Sequence, residues 1–139
     1  MAAEEITDRL AGLALFGDLS RPELEIVAHS FDEEWFPQGQ RILRQGFTGT
    51  DFHLILEGEA AVVIDGEERA KLGRGDFFGE LSVLLDEPPT ADVLALTPLH
   101  CLSLPRQDLV PWLVQTPWVS LRMLQAELRR LRNANRWRN

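Results

Sequence analysis

The stretch Leu72-Gly73-Arg74-Gly75-Asp76-Phe77-Phe78-Gly79-Glu80-Leu81-Ser82-Val83-Leu84-Leu85 sets three glycines around a phenylalanine pair and then runs into an apolar segment. Gly79 to Leu85 suits one short helix, whose first amides, at Glu80, Leu81 and Ser82, have no partner within the helix. Such amides accept an anion, a phosphate for example, and a carboxylate beside them accepts from sugar hydroxyls. Glycine also lets a backbone come close to a ligand. The spacing is equally consistent with a tight turn feeding a core helix.

Outward from this stretch, glycine punctuates short apolar runs from residue 31 to 104, at Gly39, Gly46, Gly49, Gly58, Gly66, Gly73, Gly75 and Gly79. That rhythm predicts many short strands joined by tight turns. The best hairpin signal is Ala61-Val62-Val63-Ile64 running into Asp65-Gly66, because Asp-Gly readily takes the two positive φ angles of a type I′ turn. Ala70-Lys71-Leu72 is the expected returning strand, and further strands are predicted at 41–44, 52–57, 92–96 and 99–104.

Helical patterns flank this region. Ser20-Arg21-Pro22-Glu23 is a capping box that opens a helix over about 21–29, and a second helix is predicted over about 3–13. After Pro105 a short helix around Asp108 closes at Pro117, and a longer one covers about 118–135. In it Leu121, Leu124, Leu128, Leu131 and Asn135 follow a 3, 4, 3, 4 spacing, the a/d pattern of a coiled coil. A homodimer seam and an amphipathic helix lying on its own barrel both fit that spacing.

The chain has 139 residues and 15.8 kDa, 45% hydrophobic and 26% charged, which is about one domain with an ordinary globular composition. No apolar run reaches the roughly 18 residues of a membrane span. One cysteine, Cys101, fits a reducing interior, and the acidic start MAAEEITDRL lacks a secretory pattern, so a cytoplasmic location is expected. The net charge of −8 divides unevenly: residues 118–139 hold six arginines and one acid, so the remainder carries −13. An acidic body disfavours nucleic acid, and the basic tail reads as a solvated helix face.

Enzyme constellations are not apparent. His29, His53 and His100 are scattered over a helix and two strands, each read as solvated or hydrogen-bonded, and His53 lacks the neighbouring histidine of a cupin-type metal site. Neither a Gly-x-Ser-x-Gly elbow nor a Walker loop occurs, and Cys101 reads as a buried strand residue. The expectation is a non-enzymatic domain with no metal and no required cofactor.

Three segments, in order, resemble the cyclic nucleotide-binding domain family of catabolite activators, cAMP-dependent kinase regulatory subunits and cyclic-nucleotide-gated channels. Phe36-Pro37-Gln38-Gly39-Gln40-Arg41-Ile42-Leu43-Arg44-Gln45-Gly46 looks like the family's opening strands, and Phe52-His53-Leu54-Ile55-Leu56-Glu57-Gly58-Glu59-Ala60 like its next strand and turn. Leu72 to Ser82 is similar to the start of its phosphate-binding cassette. The resemblance implies a mainly β fold, an eight-stranded jelly-roll-like β-roll over 31–104, with N-terminal helices over 1–30 and two C-terminal helices over 105–139, all one domain.

By the same resemblance, Glu80 matches the glutamate that holds the ribose 2′-hydroxyl. Gly79, Leu81 and Ser82 match the backbone that cradles the cyclic phosphate. The family expects an arginine nine residues after the glutamate, within Pro-Arg-Ala/Ser-Ala-Thr, whereas this chain reads Pro88-Pro89-Thr90-Ala91-Asp92. Pro89 stands where the arginine should be, Asp92 replaces the usual hydroxyl residue, and Thr90 and Ala91 keep the small positions between them. Five acids and no base lie between Asp76 and Asp92, with Arg44, Arg69, Lys71 or Arg74 as candidate substitute cations. The implied function is a regulatory module that binds cAMP or cGMP, or a related small ligand, and moves its C-terminal helices. The competing reading is a ligand-free scaffold for dimerisation or protein contacts through Leu121, Leu124, Leu128 and Leu131. Specific DNA binding is not expected, because the family's transcription factors continue into a further helix-turn-helix.

Overall fold

The computed structural model describes residues 1–136, with side chains described through residue 134. Helices α1 (Ala3–Ala11) and α2 (Arg21–Ser30) precede the strands, joined by a 3₁₀ turn at Ala14–Phe16. The capping box of α2 is present: Ser20 accepts from the Glu23 amide, and the Glu23 carboxylate accepts from the Ser20 amide.

Eight strands follow: β1 (Asp32–Phe36), β2 (Arg41–Leu43), β3 (Phe52–Glu57), β4 (Ala60–Ile64), β5 (Glu67–Leu72), β6 (Phe77–Phe78), β7 (Asp92–Ala95) and β8 (Leu99–Leu104). Helix α3 (Glu80–Leu85) lies between β6 and β7, and α4 (Arg106–Gln115) and α5 (Pro117–Arg136) end the described chain. The strands form two antiparallel four-stranded sheets, ordered β1-β8-β3-β6 and β2-β7-β4-β5. This is the expected β-roll with helices at both ends.

The alternation of side chains along the first sheet feeds two cores. Ile55, Phe78, Leu99 and Cys101 point into the roll, where they meet Leu43, Ala60, Leu72, Val93 and Ala95 of the second sheet. Phe52, Leu54, Leu56, Phe77, Leu102 and Leu104 point outward and pack under the helices, against Leu10, Leu24, Val27, Leu109, Trp112, Val119 and Met123. All six residues of β8 and five of six in β3 are therefore buried. A strand covered on both faces reads as a continuous apolar run, which is how β3 and β8 stand out in the sequence.

The predicted hairpin turn is confirmed, with Asp65 and Gly66 at φ 51° and 82° between the paired strands β4 and β5. Helix α5 lies on the body through a face other than the leucine stripe. Val119 and Met123 face the body, while Leu121, Leu124, Leu128 and Leu131 are 42–58% exposed. The Asn135 side chain and the segment from Trp137 to Asn139 lie outside the described residues.

Candidate functional site

The cassette begins where β6 pairs with β3 and the chain turns sharply into α3. Gly79 adopts φ 91°, and a Cβ built there would sit 2.2 Å from the Asp51 carbonyl oxygen. The glycine is thus required by the approach of one backbone to another, a reason distinct from the ligand approach read from the sequence. Phe77 packs outward beside Phe52, at 5.9 Å between ring centroids, and Phe52 lies 6.2 Å from Trp112 of α4. The opening of the cassette is bolted to the helical core.

Glu80 is 3% exposed. Its Oε1 accepts from Arg130 of α5 at 3.4 Å, and its Oε2 is buried without a partner. Arg130 also donates to the Phe77 carbonyl at 2.9 Å and to Glu127 at 3.2 Å, and its guanidinium lies 4.4 Å from the centre of the Phe77 ring. Burial raises the Glu80 carboxyl to about 8, helped by the neighbouring Glu127 carboxyl, with Arg130 pulling the other way. The sequence reading contained Glu80 but missed Arg130 and Glu127. Their one trace was the arginine-rich composition of the last helix, because the contact spans 50 residues.

The other predicted positions are placed less uniformly. Leu81 is exposed. The Ser82 hydroxyl is buried and donates to the Glu87 carbonyl at 2.5 Å. Pro89 is buried, and its carbonyl accepts from the Gly46 amide at 2.8 Å. Thr90 is exposed, and Ala91 half-buried. Asp92 accepts from the Gln45 amide at 2.7 Å and pairs with Arg41 at 3.5 Å.

Of the candidate substitute cations, Arg44 lies beside the closing half of the cassette, since the next two amides, of Gln45 and Gly46, bond Asp92 and Pro89. Arg69 pairs with Glu67, and Arg44 and Lys71 are exposed. Arg74 lines a separate groove of about 670 Å³ near the end of β3, with Trp35, Glu57, Glu59, Pro98 and His100. The Asp76 carboxylate is engaged locally, accepting from the Gly73 amide at 2.8 Å.

The histidines divide. His29 donates through Nδ1 to the Glu25 carbonyl at 2.7 Å, and His53 bonds Ser103 at 2.7 Å inside the roll, where burial holds its pKa down. His100 departs from the expectation of a satisfied ring: it is buried under a stacked Trp35 at 3.6 Å, with neither nitrogen in a hydrogen bond. Burial pushes the Cys101 thiol up to about 12, as suits an unreactive strand cysteine. Among the described residues no cluster of three or more His, Cys, Asp or Glu could hold a metal, and no helix is long and apolar enough to cross a membrane.

A β-roll of two four-stranded sheets, interrupted by a short helix that opens on a buried glutamate and covered by C-terminal helices, defines a class of regulatory ligand-binding domains. The profile of the cyclic nucleotide-binding domain matches residues 33–115, and the chain belongs to that family. It is 34% identical over 111 residues to the cGMP-dependent protein kinase egl-4 of Caenorhabditis briggsae, covering 75% of this chain and 15% of the kinase.

Among solved structures it is similar to the regulatory domain of Toxoplasma gondii PKA with cAMP, at 27% identity and a TM-score of 0.75, over 90% of this chain and 49% of the other. It is also similar to the regulatory subunit of a cAMP-independent protein kinase A from Trypanosoma cruzi bound to guanosine. That likeness has 27% identity and a TM-score of 0.72, over 86% of this chain and 43% of the other. The chain thus spans half or less of the length of each of these relatives.

Proposed function

We propose that this chain is a regulatory module that binds a cyclic nucleotide (cAMP or cGMP) or a related small ribose-bearing ligand at the cassette and transmits its occupancy to the C-terminal helices. The observation that carries this reading is Glu80, a buried carboxyl with one oxygen free of partners and the other joined to Arg130 of α5. A buried acceptor without a partner costs about 1–3 kcal/mol, which a ribose hydroxyl would offset. The backbone of Gly79, Leu81 and Ser82 and the wall from Pro89 through Thr90 to Ala91 complete the proposed pocket. Two solved relatives hold cAMP and guanosine, ligands that differ in base and phosphate and share the ribose, which supports a central role for Glu80.

Transmission follows from the same side chain. A hydroxyl that draws Glu80 toward itself loosens the Arg130 contact, and α5 responds. Isothermal titration of the purified chain with cAMP, cGMP and their nucleosides tests this, and saturable binding that weakens roughly tenfold or more in Glu80→Ala is expected. Titrations without heat, with no shift in melting temperature, would discard it.

The exposed leucines of α5 support a homodimer through Leu121, Leu124, Leu128 and Leu131, whose spacing suits pairing with a second copy. Leu128→Asp is expected to convert a dimer to monomer in sedimentation. A variant that remains dimeric places the interface elsewhere.

A further inference from the structure

The roll carries a second concavity, of about 670 Å³, at the end of β3 away from its pairing with β6. That volume is within the range of small-ligand sites. Its frame is built into the sheet: Trp35 of β1 and Glu57 of β3 both stand in register with His100 of β8, so the three form a row across neighbouring strands. The turn between β3 and β4 is tied to the loop before β8. There the Thr97 hydroxyl accepts from the Glu59 amide at 3.0 Å, and a Cβ built at Gly58 would meet the Pro98 carbonyl oxygen at 2.4 Å.

The side chains around this groove leave polar groups unpaired. His100 is 2% exposed with neither ring nitrogen in a hydrogen bond, and the Glu33 oxygen 3.7 Å from it is buried and equally unpartnered. Burial lowers the pKa of the His100 ring and favours its neutral form, which has one donor and one acceptor to satisfy. Glu57 pairs with Arg9 at 3.4 Å, whereas among the described residues Glu59 and Arg74 have no ion pair, with each other or elsewhere. One face of Trp35 lies on His100, 3.6 Å between ring centroids and 3° from parallel. Trp35 is nonetheless 63% exposed, so its other face is open.

A ligand with a single charge is attracted by one of Glu59 and Arg74 and repelled by the other. A hydroxyl donates to the carboxylate, accepts from the guanidinium and, doing both, satisfies either nitrogen of a neutral histidine. A sugar ring adds an apolar C–H face, whose polarised hydrogens suit the electron-rich face of an indole. We infer that this groove is a second ligand site, separate from the cassette, for a neutral saccharide held with its C–H face on Trp35 and its hydroxyls among Glu59, Arg74 and His100. Because Trp35 covers the His100 ring, a shift of the indole accompanies the hydroxyl that reaches it, and tryptophan fluorescence reports the event.

The test is titration of the intact chain with glucose, galactose, maltose and cellobiose, read by calorimetry and tryptophan fluorescence, with glucosamine and glucuronate as charged counterparts. Saturable binding of at least one neutral sugar, with Kd below about 10 mM, is expected. It should weaken roughly tenfold or more in Trp35→Ala and about three- to tenfold in Glu59→Gln. Glu80→Ala, in the cassette, should leave it within about twofold. Glu59 is exposed, so Glu59→Gln tests the site even where Trp35→Ala fails to fold. Three results overturn the assignment: no saturation by any neutral sugar up to about 50 mM, a charged counterpart that binds more tightly than every neutral sugar, or affinity that survives Glu59→Gln unchanged.

Discussion

The two halves of the cassette are built to different standards. Residues 77–82 hold a glycine in contact with another backbone, two buried phenylalanines, a buried glutamate and a buried serine. Residues 84–88, two or three positions further on, are all exposed, and the Asp86 carboxylate is almost fully in solvent. The opening half is part of both hydrophobic cores, whereas the closing half is held mainly by the contacts of Ser82 with Glu87, of Pro89 with Gly46 and of Asp92 with Gln45. Tolerance to change should follow this division: the opening half is constrained by the fold, and the closing half much less so.

The largest expected effect that would break this contrast is on stability. Gly79→Ala places a methyl group against the Asp51 carbonyl in a backbone conformation that disfavours side chains, and should cost about 3 kcal/mol or more in urea unfolding. Thr90→Ala in the closing half should cost less than about 0.5 kcal/mol in the same assay. Equal costs would remove the distinction.

A smaller effect is expected from pH. Glu80 is held near 8, far above the usual carboxylate range, so its protonated form stabilises the fold. That contribution is complete below the ordinary carboxylate pKa and is lost as pH rises toward 8, with a slope of at most about 1.4 kcal/mol per pH unit. The melting temperature should fall between about pH 5 and 8, and Glu80→Gln should flatten that decline. A wild-type profile already flat over this range would show that Glu80 is ionised in the folded chain.

The smallest effect concerns the link to α5. Arg130→Ala removes the cation over Phe77 and three hydrogen bonds, one of them to Glu80, for an expected loss of about 1 kcal/mol. Amide exchange should accelerate in α5 while β3 and β8 stay protected. Uniform acceleration would mean that the helix and the roll open as one unit.

Much of this architecture is legible in the sequence, for identifiable reasons. β3 and β8 are covered on both faces, and their predicted limits, 52–57 and 99–104, match the observed strands. β1 is hidden because Asp32-Glu33-Glu34-Trp35-Phe36 carries three acids and an exposed tryptophan, and its place is fixed by pairing with β8. β6, with two residues, is too short to show any period. In the site, Glu80 and its turn are local and therefore readable. The Arg130 contact depends on a helix returning across the roll, and no spacing along the chain encodes such an approach.

The attachment of α5 has one further consequence. Besides Arg130, the helix is held by Arg122, which donates to the Ala14 carbonyl and pairs with Asp18 in the turns before α2. The two arginines are eight residues apart, about 12 Å along the helix axis. On the proposed reading, losing the Arg130 grip leaves Arg122, Met123 and Ala126 holding the first half of α5, so the arm free to tilt is the ten described residues beyond Ala126, about 15 Å. A tilt of about 10° there would carry the far end by about 3 Å. On that reading, a hydroxyl-sized event at one carboxyl would be magnified to the scale of a side chain at the helix end.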